Sequence, residues 1–525
     1  MPQRRFARRL TESSQERPFP LAPTRIGTES GRRQNGLNQE ETPLFTALLN
    51  HAKREPIQFH IPGHKRGKGM NKEFREFIGD NALAFDLINI ARLDDLHHPT
   101  GAIKEAQELA AEAFEADHTF FSVQGTSSAI MTMVLATVKP GDKILLPRNV
   151  HKSVLTALML AGARPAFMHP EIDPKLGIAH GLSVETVELE LNRNPDAKAL
   201  LVINPTYFGV AANLPRIVEL AHERGIPVLV DEAHGVHVGF HPSLPPSAMQ
   251  AGADMAATSV HKLGGSMTQS SVLNVKSRLI DARHVQVILS MLTTTSTSYL
   301  LLASLDVARK ELALFGRERM GRAIAMADEA RRAINEIPGL YCAGNEILRT
   351  SATYALDPTK LTVSVKDLGL TGYDVERMLR EDFNIEVELS DLYNILCIVS
   401  WGDDESDLRE LVRALAIIAG SHKDNLGARP VAVHYPRMPE LAMSPRDAFY
   451  ARTRTVPISQ SIGMTIAEMI MVYPPGIPIL LPGEIVTQDS VDYIEENLRA
   501  GLPVQGTDDP EIRQVKVVVD DSFVD

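Results

Sequence analysis

Strand-like and helix-like patterns alternate between residues 118 and 260, and this alternation restricts the fold more than any other feature of the chain. Strands are predicted at His118–Val123, Lys143–Pro147, Arg164–His169, Ala199–Asn204, Pro227–Asp231 and Met255–Val260. Amphipathic helices are predicted between them at Ser128–Ala136, Ser153–Ala161, Ser183–Asn192 and Leu214–Arg224. Because repeated β-α units produce parallel strands with helices on both faces, the sequence predicts an α/β fold built on a mainly parallel sheet.

The rest of the chain divides by composition and pattern. Four segments are predicted: a disordered basic tail at 1–40, an N-terminal arm and large domain at 41–310, a small α/β domain at 311–424, and a linker with a C-terminal α+β domain at 425–525. A long helix is predicted from Leu300 to Ile337, where Ala, Arg, Glu and Leu recur at helical spacing. Strands of the small domain are predicted at Lys360–Val365, Ile385–Leu389 and Asn394–Val399.

Charge and composition restrict the partners of the protein. The 525 residues carry 54 Lys and Arg against 66 Asp and Glu, a formal net charge of −12. This charge argues against nucleic-acid binding as the main activity and is compatible with a small cationic substrate. The apolar segment Met464–Leu481 is interrupted by Glu468 and three prolines, so no membrane span is predicted.

The cysteine and histidine patterns indicate a reducing compartment and no metal centre. The chain has two cysteines, Cys342 and Cys397, in apolar surroundings and outside any metal-type cluster, which favours the cytoplasm. The histidine pairs His97-His98 and His234-x-x-His237 have no third ligand at a suitable spacing, so no metal site is predicted.

Candidate catalytic residues stand where predicted strands end. Lys262 follows a strand within Ser259-Val260-His261-Lys262, and Asp231 ends the buried run Val228-Leu229-Val230. A lysine that forms a Schiff base must lose its proton easily, and a desolvated or cationic environment achieves this. The ring nitrogen of pyridoxal phosphate needs a carboxylate partner. Together the two residues predict pyridoxal phosphate on Lys262, although a surface lysine is the commoner fate of this residue type.

Other strand ends predict the remaining contacts of the cofactor. Thr126 and Ser127 open a helix after a strand, a position that suits either a phosphate site or an ordinary helix cap. His151 could stack on the ring, and His234 could contact cofactor or substrate. Ser259 and His261 flank the lysine, and Ser296 and Thr297 belong to a hydroxyl-rich run that is either a loop or part of a phosphate site. These residues with Asp231 and Lys262 form the predicted cofactor-binding set, of which Lys262, His261, His234 and Asp231 are predicted to be catalytic.

Several strings carry a resemblance to a known family. They are His60-Ile61-Pro62-Gly63-His64-Lys65, Gly125-Thr126-Ser127, Asp231-Glu232-Ala233-His234, Ser259-Val260-His261-Lys262, Tyr473-Pro474-Pro475-Gly476-Ile477-Pro478 and Pro482-Gly483-Glu484. With them the chain resembles the fold-type I pyridoxal-phosphate-dependent decarboxylases of the ornithine/lysine/arginine family from about Thr42 to Glu484. Within that family it is most similar to the shorter, Bacillus-type biosynthetic arginine decarboxylases.

The resemblance implies an activity and an assembly. It implies decarboxylation of L-arginine to agmatine and CO2 for polyamine synthesis, including that of spermidine, in the cytoplasm. It implies a homodimer or larger homo-oligomer with the active site at the dimer interface, where Ser296 or Thr297 acts on the partner subunit. It also implies a Schiff base at Lys262, stacking by His151, a salt bridge from Asp231, and phosphate contacts from Thr126, Ser127, Ser259 and His261.

The identity of the substrate is open at this point. Glu388 is the first candidate to bind the distal cation of the substrate, with Asp391 and Glu484 next, because a guanidinium favours a planar carboxylate partner. A solvated strand face explains Glu388 equally well. Lysine or ornithine decarboxylation, another pyridoxal-phosphate reaction such as transamination, and a non-catalytic regulator of the same fold remain as alternatives. A nucleic-acid role of the arginine-rich tail is a further one.

Overall fold

The structure is a computed structural model that describes residues 36–423, 436–472, 477–499 and 504–519. Almost all of the predicted basic tail, most of the predicted linker and the motif residues 473–476 lie outside the described residues. Residues from Asn38 onward form one compact unit. The predicted boundaries at 310/311 and 424/425 therefore stay predictions.

The strands are short, and seven of them belong to one central sheet. They are β1 (His118–Ser122), β2 (Lys143–Pro147), β3 (Arg164–Met168), β4 (Ala199–Ile203), β5 (Val210–Ala211), β6 (Val228–Asp231), β7 (Met255–Thr258), β8 (Ser271–Val275), β9 (Tyr341–Cys342), β10 (Ala355–Leu356), β11 (Lys360–Ser364), β12 (Leu389–Ser390), β13 (Asn394–Ile398), β14 (Thr453–Pro457), β15 (Ile470–Val472), β16 (Ile477–Leu480), β17 (Val504–Gln505) and β18 (Gln514–Val518).

The central sheet confirms the predicted α/β class. Its strand order is β1-β8-β7-β6-β4-β2-β3, and only β8 runs against the other strands. The predicted strands between 118 and 260 coincide with β1, β2, β3, β4, β6 and β7, whereas β8 was not predicted. Because the other strands share one direction, their carboxyl ends meet at one edge of the sheet, where ligands bind in folds of this kind.

Helices connect and cover the sheets. They are α1 (Pro43–Lys53), α2 (Lys72–Ile78), α3 (Asp80–Phe85), α4 (Ala102–Ala113), α5 (Gly125–Thr137), α6 (Lys152–Ala161), α7 (Val184–Arg193), α8 (Leu214–His222), α9 (Val260–Leu263), α10 (Ala282–Leu292), α11 (Tyr299–Asn335), α12 (Gly372–Phe383), α13 (Glu405–Ser421), α14 (Pro445–Tyr450) and α15 (Gln488–Arg499). None of the helices in the described ranges is long and apolar enough to span a membrane.

Both faces of the central sheet are packed, as its near-continuous apolar strands require. Helices α5, α6 and α10 cover one face, and Leu229 of β6 packs there. Helices α7 and α8 cover the other face, where the neighbouring Val228 and Val230 pack. This alternation along β6 fixes the strand between two cores and holds its last residue, Asp231, at the edge of the sheet.

The second half of the chain adds three smaller sheets, and its strand β10 forms a fourth with β5. The long helix predicted at 300–337 is α11, and it packs against an antiparallel sheet of order β12-β13-β11-β9. The strand predicted at Ile385–Leu389 is wrong except for its last residue. Asn384 ends α12 in the left-handed conformation (φ 55°), and residues 385–388 run irregularly before β12 begins. Two further sheets, β14-β18 and β16-β15-β17, lie in the C-terminal part.

Candidate active site

The structure brings Asp231, His234 and Lys262 together at the edge of the central sheet. Asp231 is the last residue of β6, and Lys262 lies in the short helix α9 directly after β7. Strands β6 and β7 are neighbours, and Asp231 pairs with Ala257. The Nζ atom of Lys262 lies 2.6 Å from Nε2 of His234. The predicted catalytic lysine, carboxylate and histidine thus share one crevice.

Asp231 is a buried carboxylate with few partners. Its side chain is 5 % exposed, and among the described residues Oδ1 accepts a hydrogen bond from the backbone N–H of Ala233 at 3.2 Å. Burial raises the pKa of Asp231, while the nearby charges of His151 and Lys262 act in the opposite direction. A buried carboxylate of this kind is stabilised by a cationic N–H partner, which a protonated pyridine ring provides.

Lys262 is prepared to act as a neutral amine. Desolvation is the main cause that lowers the pKa of Lys262, and the negative charges of Asp231 and Glu388 oppose the shift. A lysine whose ammonium form is disfavoured is a better nucleophile near neutral pH.

His234 is enclosed and neutral. The side chain is 6 % exposed, and burial holds its pKa well below the usual value, with Lys360 and Lys262 adding to the effect. Its Nδ1 atom has no hydrogen-bond partner among the residues that the structure describes. The ring of Tyr207 packs on the imidazole with centroids 4.1 Å apart. A buried nitrogen without a partner is unusual in a folded protein and points to a group that is bound there.

His151 lies close enough to Asp231 and Lys262 for their charges to act on it. The residue follows β2 and caps α6, because its Nδ1 accepts a hydrogen bond from the backbone N–H of Ser153 at 3.2 Å. Although the residue is exposed, the protein around the ring desolvates it and lowers the pKa of His151. The hydrogen bond from Ser153 fixes the direction of the ring, as a stacking role requires.

A cradle for an anion forms where α5 begins. Gly125 adopts a positive φ of 72°, and an added Cβ atom there would meet nothing within 4 Å. The N–H of Gly125 itself donates to the carbonyl oxygen of Gln269 at 2.8 Å. The open space beside Gly125 leaves the N–H groups that follow it in the first turn to face an anion, which such groups favour. The hydroxyl of Thr126 hydrogen-bonds to the hydroxyls of Ser259 and Ser271, so the loop before Lys262 is joined to the start of α5.

The remaining predicted phosphate residues surround this cradle to different degrees. Ser127 is half-buried in the first turn of α5. His261 donates from Nδ1 to the carbonyl oxygen of Ser270 at 2.8 Å, which leaves Nε2 to face other groups. Ser296 is exposed and Thr297 is buried. Their loop is linked to the same chain's cradle, because Thr294 donates its backbone N–H to Oε1 of Gln124 at 2.6 Å.

Glu388 reaches the crevice through a residue that the sequence analysis missed. The hydroxyl of Tyr207 donates a hydrogen bond to Oε1 of Glu388, and the same tyrosine packs on His234. The centroid of the Tyr207 ring lies 5.5 Å from Nζ of Lys262. Tyr207 stands just after β4 in Asn204-Pro205-Thr206-Tyr207, so the rule that ligand-binding loops follow strand ends could have identified it.

The other two carboxylates predicted to bind the substrate are engaged elsewhere, and we correct their assignment. Asp391 accepts hydrogen bonds from the backbone N–H groups of Tyr393 and Asn394 at 2.8 and 2.7 Å, which builds the turn between β12 and β13. Glu484 is 1 % exposed and forms a two-point salt bridge with Arg148, with oxygen–nitrogen distances of 2.5 and 2.9 Å. Their oxygens stabilise turns and packing, and neither group is free to bind a substrate cation.

The residues in the crevice fit pyridoxal phosphate. The cradle at Gly125 suits the phosphate, buried Asp231 suits the protonated ring nitrogen, His151 stands beside them, and Lys262 has the chemistry of a Schiff-base lysine. Fold and site together define a pyridoxal-phosphate-dependent enzyme of the fold-type I class.

Comparison with known proteins narrows the class to a family. The family model described as "Orn/Lys/Arg decarboxylase, major domain" matches residues 42–407, and that of the C-terminal domain matches residues 429–503. The chain belongs to the Orn/Lys/Arg decarboxylase family, whose members decarboxylate basic amino acids with pyridoxal phosphate. The predicted family, enzyme class and cofactor are thereby confirmed.

Two relatives and one solved structure illustrate the similarity. The chain is 67 % identical over 481 residues to the arginine decarboxylase of Halalkalibacterium halodurans, covering 91 % of this chain and 98 % of that protein. It is 62 % identical over 483 residues to the arginine decarboxylase of Bacillus subtilis, covering 92 % and 99 %. The crystal structure of the Francisella novicida lysine decarboxylase LdcF aligns with a TM-score of 0.79 at 23 % identity, covering 91 % of this chain and 81 % of that one, a likeness of fold alone.

Proposed function

We propose that this protein decarboxylates L-arginine to agmatine and CO2 as a step of polyamine synthesis in the cytoplasm. The observation that carries the proposal is the Glu388 carboxylate, which Tyr207 joins to the crevice of Lys262 and His234. It offers the distal cation of a basic amino acid an acidic partner at the site. Two relatives that share 62–67 % identity with the chain are arginine decarboxylases, so we expect that cation to be a guanidinium and not an ammonium.

Each residue of the crevice has a defined task in this proposal. Lys262 would hold the cofactor through its Nζ atom. Asp231 would keep the proton on the ring nitrogen. His151 would lie against the ring, and the first turn of α5 with the Thr126 and Ser259 hydroxyls would hold the phosphate. When bound, pyridoxal phosphate supplies an electron sink for the electron pair that the departing CO2 leaves behind.

His234 acts on the Lys262 amine, and Tyr207 acts on the substrate through Glu388. His234 Nε2 accepts a hydrogen bond from Lys262 Nζ, which directs one amine proton away from the reacting side. Tyr207 fixes Glu388 by donating its hydroxyl proton to Oε1. Loss of the carboxylate charge should therefore weaken substrate binding more than it slows the chemical step, because the contact is made in both ground state and transition state.

The proposal includes a homodimer with the active site at the interface. Large apolar side chains are exposed in the N-terminal arm and near the cradle: Ile57 (87 %), Phe59 (96 %), Phe77 (83 %) and Met291 (76 %). Exposed apolar surface of this kind is typical of an interface between subunits. Met291 lies beside the loop of Ser296 and Thr297, and this loop is joined to the cradle of its own chain, so the exposed apolar surface lies close to the site, as a site at a subunit interface requires.

Substrate-specific CO2 release tests the proposal. Protein loaded with pyridoxal phosphate is supplied with carboxyl-labelled arginine, lysine or ornithine in parallel, and the labelled gas is collected. We expect release from arginine to exceed that from the other two by at least about 100-fold in kcat/KM, roughly 2.7 kcal/mol of discrimination. Preference for lysine or ornithine would change the proposed substrate to that amino acid. No release from any of the three would favour another reaction or a regulatory role.

A matched pair of variants tests the part played by Glu388. In Glu388→Gln we expect KM for arginine to rise at least about tenfold with a smaller change in kcat, since uniform binding is lost. Glu386→Gln, two residues away, removes a carboxylate that pairs with Arg380 on the surface and serves as the control. Equal kinetics in the two variants would remove Glu388 from the substrate site.

A further inference from the structure

Glu232 is a buried carboxyl group that the proposed function does not use. It directly follows Asp231, the last residue of β6, and its side chain is 3 % exposed. Burial raises the pKa of Glu232 to about 7, although its hydrogen bonds act in the opposite direction. Since a buried carboxyl group is unfavourable unless its hydrogen bonds compensate for the loss of water, the partners of Glu232 indicate what it does.

The two hydrogen bonds of Glu232 reach different parts of the chain. Oε1 accepts a bond from the backbone N–H of Ala248 at 2.6 Å, and Oε2 accepts one from the hydroxyl of Thr258 at 3.0 Å. Ala248 belongs to the core on the face of the sheet that α7 and α8 cover, and Thr258 is the last residue of β7. The carboxyl group therefore joins the end of β6 to the end of β7 and to the segment between the two strands.

Backbone pairing between β6 and β7 stops at this point. Asp231 and Ala257 form the last pair, and the backbone N–H of Glu232 donates the next bond to the carbonyl oxygen of Ala257 at 3.0 Å. From there one chain continues into the turn of His234 and the other into α9. The bond between Glu232 and Thr258 thus extends the pairing of the strands one step beyond the backbone.

The turn of His234 is folded against the Glu232 side chain. The backbone N–H of Gly235 donates to the carbonyl oxygen of Glu232 at 2.9 Å, and an added Cβ at Gly235 would lie 2.7 Å from Cγ of Glu232. A side chain next to His234 would therefore collide with the stem of Glu232. The position of the imidazole depends on this close approach.

The contact between the two loops in the crevice is short. Nζ of Lys262, in α9, lies 2.6 Å from Nε2 of His234. A displacement of one loop by about 1 Å would break this contact, and a misplacement of that size can slow an enzyme about 10²-fold. A side chain that bridges the loops where the backbone bonds end can fix their separation.

We propose that Glu232 is a positioning residue of the active site, whose carboxyl group joins the turn of His234 to the strand end that leads to Lys262 and so fixes the distance between these two side chains. The inference rests on the proposed role of Lys262 as the residue that carries the cofactor. Glu232 acts through Thr258 and through its own turn, and it takes no part in the chemical step.

The pH profile of cofactor uptake tests the inference. Cofactor-free protein is mixed with pyridoxal phosphate between about pH 6 and 10, and the rate at which the visible absorbance of the bound cofactor appears is recorded. In Glu232→Ala we expect the acidic limb of this profile to move up by about one pH unit, because separated loops admit water to Lys262 and its amine is then protonated at higher pH. Turnover should fall about tenfold, while KM for arginine changes less than about threefold.

Glu232→Gln should restore the parental profile. The amide oxygen can accept the bond from Ala248, and the amide nitrogen can donate to the Thr258 hydroxyl, so both contacts remain without the charge. Asp231, His234 and Glu388, which also act on or contact Lys262, are the same in all variants. An unchanged limb in folded Glu232→Ala, or an equal displacement in Glu232→Gln, would overturn the inference.

Asp254 provides a matched structural control. Its Oδ2 atom accepts hydrogen bonds from the backbone N–H of Val228 at 2.8 Å and from His222 at 2.7 Å, so this buried carboxylate also joins β6 and β7, but at the opposite edge of the sheet. Asp254→Ala should lower the melting temperature and leave the uptake profile unchanged. If it moved the acidic limb as far as Glu232→Ala does, the effect would be one of general stability and the inference would be wrong.

A second pair of variants keeps the test decisive if Glu232→Ala does not fold. Thr258→Val removes the hydroxyl donor at almost constant shape, and Thr258→Ser keeps it. We expect the acidic limb to move up by about half a pH unit in Thr258→Val and to stay in place in Thr258→Ser. Identical profiles in the two folded proteins would overturn the role of Glu232.

Uptake and turnover separate this inference from the proposed function. Uptake is measured without substrate, so a parent protein that releases no CO2 from arginine would overturn the proposed function alone. A Lys262→Ala protein that gains the parental absorbance band would overturn the role of Lys262, and the inference with it.

Discussion

Two buried regions of the molecule hold charged groups at the carboxyl ends of strands, and they treat those groups in opposite ways. In the crevice, the described partners of Asp231 amount to one backbone hydrogen bond, and His234 Nδ1 has none. At the end of β2, Arg148 donates to both oxygens of Glu484 and to the carbonyl oxygens of Pro478 and Ile479. We call this second region the Arg148–Glu484 junction.

The difference separates a site for chemistry from a structural contact. Saturated polar groups rigidify a fold, because every donor and acceptor that burial removes from water is matched. Groups that lack partners carry a cost in the free energy of folding, and such groups concentrate where a ligand supplies what is missing. Degree of hydrogen bonding, more than burial or charge, distinguishes Asp231 from Glu484.

The largest effect is expected from loss of the crevice lysine. In Lys262→Ala, CO2 release should fall by more than about 10⁴-fold, or about 5.5 kcal/mol, because the group that holds the cofactor is gone. The visible absorbance of the bound cofactor should disappear with it. Lys139→Ala, an exposed lysine after α5, is the control. If Lys262→Ala kept its turnover, the crevice would not be the catalytic region.

The second effect concerns the crevice carboxylate. Asp231→Asn preserves shape and removes the charge, so we expect the turnover rate to fall about 10³-fold, roughly 4 kcal/mol, since the ring nitrogen is no longer held protonated. Melting temperature should hold or rise, because a desolvated carboxylate is replaced by a neutral amide. A drop in stability with normal turnover would show that Asp231, like Glu484, has a structural role and not a catalytic one.

The smallest effect on turnover is expected at the junction. Glu484→Gln leaves the Arg148 guanidinium buried without its counter-charge, and the free energy of unfolding should fall by about 3 kcal/mol in denaturant titrations. Below the unfolding transition, KM for arginine should stay within about twofold of the parent, because the carboxylate is not a substrate ligand. A large rise in KM would restore Glu484 to the substrate site and erase the contrast between the regions.

The sequence predicted those parts of the fold and site that follow from local pattern. The strands of the central sheet and the helix α11 are periodic enough to be located, and the residues at strand ends follow from topology. Strand β8 was missed because Ser271–Val275 pairs antiparallel with β7 and β1 and lies outside the repeated β-α units that revealed the other strands. Local patterns contain no information on pairing between distant segments.

The carboxylates illustrate what could not be predicted. In the sequence, the three carboxylates look alike, because each lies next to a strand. They are Glu388, Asp391 and Glu484. Their partners, Tyr207, Asn394 and Arg148, lie 181, 3 and 336 positions away. Only the Asp391 contact is local enough to be recognised as a turn. Glu232 was overlooked for the same reason, since its partners Ala248 and Thr258 lie 16 and 26 positions away.

The Arg148–Glu484 junction has a consequence for dividing the protein. Arg148 lies three residues before His151. The groups described above that accept hydrogen bonds from its guanidinium all belong to residues 478–484. In a fragment that stopped at residue 424, the Arg148 guanidinium would lose these acceptors. The apolar core next to it would also lack Leu481. The catalytic half should therefore not be obtainable as an independent soluble piece. Co-expression with residues 436–525 as a separate chain should recover it by fragment complementation.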